Sequence, residues 1–443
     1  MSKRPNILYL HSHDTGCYVQ PYGYNLSTPN IQRIAEEGVL FRQAFCVAPT
    51  CSPSRASLLT GQFPHNCGQF GLVNRGFELR DREKHIANLL SDAGYHTALV
   101  GCHHVVRDPI TCGYIQHIQE RIKHVKGDLN TVRAAIKFLR HPPREPFFLS
   151  VGFYVTHRPF PECRPRKHAN YCLPPIPIPD TPRTRMDMCA FKLSVSLLDN
   201  YVGAILDALN NSSLAKNTVV ILTTDHGVPF PKMKCNLTDH GIHVMLIMRG
   251  PSGFSGGKVI DALVSQLDLY PTICELAEID LPKWVQGVSL LPLVNGKTKK
   301  IHEEIFAEVN YHAAYEPMRA IRTQRWKYIR RFHDYPFPVL PNCDPSPSKD
   351  VLMECGWGKQ VIPREELYDL MLDSTESHNL SNNPKMEEIL FEMRRRLDQW
   401  MRCTGDPLLQ EPIPLPDGAY VCKPDDIQPN DIWKRVPRPE GYA

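Results

Sequence analysis

Cys51-Ser52-Pro53-Ser54-Arg55 opens a run that continues Ala56-Ser57-Leu58-Leu59-Thr60-Gly61. Two acid-bearing clusters stand elsewhere, His13-Asp14-Thr15-Gly16 and Asp225-His226-Gly227, with two histidine clusters, Cys102-His103-His104 and Val155-Thr156-His157-Arg158. Lys232 and Lys234 follow the second acid cluster in Pro229-Phe230-Pro231-Lys232-Met233-Lys234. Carboxylates give calcium its hard oxygen ligands, whereas imidazole suits manganese, zinc and other transition ions. An imidazole near its natural pKa can hand a proton to a departing alkoxide or amine. Lysine and arginine stabilise charge that develops on an oxyanion. Taken singly, Cys51 also reads as a buried structural thiol and Asp14 as a turn-capping carboxylate.

Position gives these residues their weight. Short apolar runs predict strands over Asn6–Leu10, Thr97–Val100, Phe147–Phe153, Thr218–Leu222 and Val244–Met248. Amphipathic stretches between them predict helices over Thr28–Glu37, His85–Ala93 and Met188–Leu209. Such alternation favours an α/β domain with a large, mostly parallel sheet. In open α/β sheets ligands bind beyond the carboxyl ends of strands, and the His13, Asp225 and His157 clusters each follow a predicted strand. A Pro-rich segment from Pro159 to Pro182 reads as a surface excursion, either a binding loop or an insertion. Past residue 300 the pattern changes. Arg319–Arg322 and Trp326–Arg330 predict antiparallel strands, Lys385–Met401 a closing helix, and the last forty residues a surface wrap. The chain therefore divides into a catalytic domain, 1–300, and a C-terminal subdomain, 301–443.

The Cys51 to Gly61 run resembles the type I sulfatase signature, in which the leading cysteine is oxidised to formylglycine. The resemblance runs nearly end to end and includes a terminal signature around Leu367-Tyr368-Asp369-Leu370. It implies an alkaline-phosphatase-like fold, a formylglycine-generating maturation enzyme and a divalent metal, calcium first with manganese as the alternative. Carried over residue by residue, Asp14 and Asp225 fall on metal-binding aspartates and His226 on an Asn-or-His position. His13 falls where most relatives have another aspartate. Cys51 completes the metal shell, Arg55 holds the hydrate and the metal site, His104 helps expel sulfate, His157 reaches the leaving group and Lys234 contacts sulfate, with Lys232 as its fallback. Cys102 replaces the family lysine that neutralises sulfate oxygens, and a thiol lacks that charge. His103 or Arg107 are the nearest candidates to compensate.

Phe41-Arg42-Gln43-Ala44-Phe45, Val151-Gly152-Phe153, Pro317-Met318-Arg319 and above all Pro229-Phe230-Pro231 resemble the sulfamidase branch, the N-sulfoglucosamine sulfohydrolases. This implies a small sulfated sugar as substrate, with Tyr311, His312 and Arg319 shaping its pocket. Two rivals stand beside it: a phosphate or phosphonate ester hydrolase of the alkaline-phosphatase superfamily, and a catalytically impaired binder of sulfated glycans.

The 51 basic and 47 acidic side chains nearly cancel, to +4 over 443 residues, and no dense basic block points to nucleic acid. No apolar run suggests a membrane span and no h-region precedes the first strand, so a cytoplasmic chain is expected. Its fifteen scattered cysteines are then expected to be reduced thiols. A homodimer is a possible assembly.

Overall fold

The computed structural model describes residues 4–118 and 127–435. Its large sheet contains β1 (Asn6–Ser12), β2 (Val39–Phe45), β3 (His96–Gly101), β4 (Gln116–Ile118), β5 (Phe147–Gly152), β6 (Thr218–Thr224), β7 (Leu246–Arg249) and β8 (Lys258–Ser265). Their order is β4-β3-β5-β1-β6-β7-β2-β8. The first five of that order are mutually parallel, β7 runs antiparallel to both β6 and β2, and β2 pairs parallel with β8. The expected strand over Val244–Met248 starts later, at Leu246, with Val244 N–H on Ala44 O of β2 and Met245 N–H turned to Gly16 O in the loop after β1.

Side chains alternate across each strand. Ile7, Tyr9, Val219 and Ile221 therefore enter one core cluster, while Leu8, Leu10, Val220 and Leu222 enter another. The second face is covered by the helices Asp128–Arg140 and Pro182–Asn210. The longer helix begins well upstream of the expected Met188, because Thr181 caps it and Pro182 fits its first turn. At 29 residues it is also long and apolar enough by composition to cross a membrane, contrary to expectation, although most of that stretch is buried in the fold.

β9 (Glu304–Tyr311), β10 (Tyr315–Thr323), β11 (Trp326–Arg331) and β12 (Glu365–Asp369) form a separate antiparallel sheet in the order β12-β11-β10-β9. The closing helix, Glu387–Thr404, packs Leu390, Leu397 and Trp400 on Ile321, Tyr328 and Leu367. Val47, Phe63 and Leu267 join the same cluster and so fasten this sheet to the large one. The tail returns over the molecule, with Tyr420 N–H donating to Arg75 O and Cys422 N–H to Ala313 O.

The Pro-rich excursion is irregular apart from a short 3-10 turn, Arg166–Tyr171. A disulfide from Cys163 to Cys189 ties it to the long helix. This corrects the expectation of an entirely reduced chain.

Candidate active site

Register brings the strand ends together. His11 of β1 stands opposite Gly152 of β5 and Thr223 of β6, so the chain leaves all three strands at one level. A Cβ on Gly152 would come within 1.9 Å of Cys102 O, so only glycine lets the segment after β3 approach β5 this closely. Asp14 and His104 are held at φ +50° and +57°. Left-handed backbone at a non-glycine residue costs about 1–3 kcal/mol and collects at functional sites.

Cys51 is the first residue of the helix Cys51–Thr60, every residue of which is buried. A helix N-terminus favours negative charge at such a position. Arg55 lies one turn on. It donates to Asp225 Oδ2 (2.9 Å) and Ser12 O (2.8 Å), and its Nη1 is 2.6 Å from His11 Nδ1. It therefore clamps the ends of β1 and β6 to the helix that Cys51 opens. Ser54 adds a hydrogen bond from its Oγ to Asp225 O.

Donor atoms of His13, Asp14, Cys51 and Asp225 lie within 4.8 Å of one another and all four residues are buried. Asp225 Oδ1 accepts from the Asp14 and His226 amides at 2.8 and 2.9 Å. His226 Nδ1 donates to Gly227 O, which turns Nε2 toward Asp14 Oδ1 (3.2 Å) and Cys51 Sγ (3.3 Å). His13 Nδ1 lies 3.1 Å from Asp225 Oδ2 yet makes no hydrogen bond of proper geometry. Burial, reinforced by Arg55, pushes the His13 pKa well below its ordinary value, so the ring is neutral. Two carboxylates, the His13 imidazole and the Cys51 sulfur thus converge on one buried point, with His226 Nε2 beside Asp14 and Cys51, a donor set that fits a divalent cation.

Lys234 is buried beside this cradle, with Nζ 3.0 Å from Asp14 Oδ2 and 3.1 Å from Asp344 Oδ2. Burial opposes its charge, but Asp14 and Asp344 outweigh that and raise its pKa well above the ordinary value. His104 is drawn down to about 3 by burial and then by Arg55 and His157, which leaves it neutral; its donor atom clusters with those of His13 and Cys51. His157 donates through Nδ1 to Arg158 O (2.5 Å), so Nε2 is the atom that faces Asp14 Oδ2, 3.9 Å away. Asp14, His157 and Asp344 form a second convergent cluster. Asp344 is a site residue that the sequence did not reveal, since it lies in a Cys-Asp-Pro loop with no strand before it.

Several expectations change. Arg319 is fully buried and bonds Asp406 through Nε (2.5 Å) and Nη2 (3.0 Å), with Nη1 on Val309 O and Asn310 Oδ1, so it cannot shape a sugar pocket. Tyr311 packs on Phe77 and Tyr315 and donates to Ile413 O, a structural role. His312 is buried where the charges of Lys234 and Asp344 reach it. Lys232 lines a cavity of about 330 Å³ that also touches Lys234. His103 contacts His85 and is kept neutral by burial, and Arg107 is exposed beside Glu78, so neither replaces the missing lysine. Cys102 instead contacts His13, Nε2 to Sγ 3.2 Å.

Comparison with known proteins agrees with this geometry. The family model "Sulfatase" matches residues 5–279, and "N-sulphoglucosamine sulphohydrolase, C-terminal" matches residues 232–349. Human N-sulphoglucosamine sulphohydrolase is 29% identical, over 95% of this chain and 92% of its own length. A Bacteroides thetaiotaomicron Delta 4,5-hexuronate-2-O-sulfatase is 26% identical, over 91% and 90%. Among solved structures, one in complex with its substrate D-glucosamine-2-N,6-O-disulfate shares the fold with a TM-score of 0.71 at 20% identity, covering 92% of this chain and 100% of that one.

Proposed function

The chain belongs to the sulfatase family, and from that premise we propose that it is a sulfamidase, cleaving the S–N bond of an N-sulfated glucosamine at the end of a heparan-type glycan. The match of residues 232–349 to the C-terminal region of N-sulphoglucosamine sulphohydrolases carries this reading. That stretch supplies Lys234, His312 and Asp344, while the metal-cradle residues and His157 precede it.

A divalent ion would be held by Asp14, Asp225, His226 and His13 with the side chain at position 51, and it would polarise the sulfate oxygens. The two carboxylates favour calcium and the imidazoles admit manganese. Cys51, oxidised to formylglycine by a maturation enzyme, would supply the attacking hydroxyl as its hydrate. Lys234 offsets negative charge on the sulfate oxygens. When its ring carries both protons, His157 hands the one on Nε2 to the departing amine, while Nδ1–H stays on Arg158 O and fixes the ring. His104 is neutral and close to position 51, and accepts a proton as sulfate is expelled. In the net reaction one water is consumed, and glucosamine and sulfate are released.

The test is sulfate release from N-sulfoglucosamine by protein co-expressed with a formylglycine-generating enzyme, with Cys51→Ala as control and glucosamine 6-phosphate as the rival substrate. Release that disappears in Cys51→Ala supports the reading. Phosphate release without sulfate release, with the aldehyde verified by peptide mass, rejects it.

A further inference from the structure

Beside the catalytic groups opens a cleft of roughly 550 Å³, lined among others by His157, Arg158, Phe160, Met186, Asp344 and Pro347, a size within the range of small-ligand sites. Asp344 stands where this cleft meets the nucleophile site. Its Oδ2 takes the hydrogen bond from Lys234, whereas Oδ1 takes none from the described residues. The donor atoms of Asp14, His157 and Asp344 lie within 4.8 Å of each other, so Asp344 flanks the imidazole that serves the leaving group.

The loop that carries Asp344 is firmly held. Lys349 Nζ donates to Leu340 O, Cys343 O and Ile427 O at 2.7–2.8 Å. Asn342 accepts from Ala314 N and donates to Glu316. Ser348 bonds Asp187, which in turn grips Arg158 in a bidentate pair. Arg158 is thereby spent, its Nε on Pro229 O as well. Glu162, Asp187 and Asp344 line the cleft, each paired with a cation, Arg164, Arg158 and Lys234 respectively, and Asp344 keeps Oδ1 without a hydrogen bond from the described residues. A carboxylate oxygen left open in this way accepts hydroxyl or ammonium donors.

We propose that Asp344 is a specificity-determining residue that binds hydroxyl or ammonium donors of the leaving sugar through Oδ1. The proposal rests on the sulfamidase reading and names what that site recognises.

The test compares matured wild type, Asp344→Asn and Asp344→Ala on N-sulfoglucosamine, an O-sulfated hexose and 4-nitrophenyl sulfate, whose aryl leaving group carries no donors. A hydrogen bond to a charged acceptor accounts for about tenfold or more in binding. The loss of kcat/KM on the sugars is therefore expected to exceed the loss on the aryl sulfate by at least about that factor, chiefly through KM. Calorimetric binding of glucosamine to the unmatured chain should weaken by a similar factor in Asp344→Asn. Equal losses on sugar and aryl substrates, with glucosamine binding unaltered, would make Asp344 merely the counter-ion of Lys234 and overturn the proposal. Wild type that hydrolyses the O-sulfated hexose but not N-sulfoglucosamine rejects the sulfamidase reading, and the Asp344 comparison is then decided on that hexose.

Discussion

His13 and Cys102 touch, imidazole Nε2 to thiol Sγ 3.2 Å, at the two positions where the sulfatase resemblance leads one to expect an aspartate and a lysine. Burial lowers the His13 pKa well below its ordinary value and raises that of Cys102 to about 11, so both are neutral at pH 7. An acid and a base have thus been lost together, and the local net charge is unaltered. Among the described residues Asp225 keeps Arg55 and Asp14 keeps Lys234 as buried cationic partners beside the cradle.

Coupling between these two positions is measurable. Cys102→Lys alone brings an ammonium close to Arg55 with no new anion, and His13→Asp alone adds a third buried carboxylate. Each is expected to cost about 3 kcal/mol or more. The double substitution should recover about 1–3 kcal/mol of the summed loss. Urea denaturation of the four proteins in chelator checks this, and strict additivity would refute the coupling.

Legibility of the fold followed burial. β1, β5 and β6 are apolar on both faces and stood out as continuous runs, as central parallel strands do. β2 and β8 escaped notice because Arg42 and Gln43 in β2, and Lys258 and Asp261 in β8, interrupt the apolar pattern. The nucleophile helix has no amphipathic signature at all, since Ser52, Ser54, Arg55 and Ser57 are buried with its leucines. Its motif was visible and its helix was not. In the site, residues at strand ends could be read from order alone. Asp344 could not, because its place depends on a distant loop held by Lys349. Arg319 misled for the opposite reason: a charged side chain on a strand says nothing of the Asp406 that neutralises it.

Arg55 is expected to be irreplaceable by lysine. Its fork reaches Asp225, Ser12 O and His11 at once, and an ammonium is a single point donor. Arg55→Lys should lower stability by about 3–5 kcal/mol, because Asp225 loses a buried partner. Denaturant midpoints with an unaltered m-value would verify it, and a loss under about 1 kcal/mol would show that His13 or water takes over.

Metal should stabilise the folded chain, because the convergent lone pairs exist only when β1 and β6 are paired. Free ion at a hundredfold excess over Kd is expected to add about 2.7 kcal/mol. Chelation should remove that increment, and Asp225→Asn should abolish it. Thermal unfolding with calcium and with manganese decides between the two ions by the larger increment at matched concentration.

His302 should make stability depend on pH away from the site. Burial disfavours its charge, but Asp268 prevails, with both carboxylate oxygens 2.9 Å from Nε2, and raises the pKa above the ordinary value. Asp268 also caps the Ser265 and Val288 amides, so the pair pins the segment that leads into β9. A pKa raised by folding gives stability that is complete below the unfolded value, about 6.5, and is lost as pH rises through the folded value. Urea midpoints at roughly pH 6 and pH 9 should differ more in wild type than in His302→Gln. Identical differences would remove His302 from the account.

Cys51 should be oxidisable only before the domain closes. Its side chain is 1% exposed, at the head of a wholly buried helix and within 3.3 Å of His226. Burial also pushes its pKa well above the ordinary value, which suppresses the thiolate. Under the proposed mechanism a maturation enzyme would have to take hold of the chain around position 51, and in the folded protein Pro53 and Arg55 are buried along with it. A purified, folded chain carrying Cys51 is therefore expected to resist conversion, whereas a peptide spanning residues 45–61 should be converted readily. Peptide mass after incubation with the maturation enzyme reads both. Conversion of the folded chain at the peptide's rate would mean that the nucleophile helix opens as fast as the enzyme works, and would place this helix among the least stable parts of the domain.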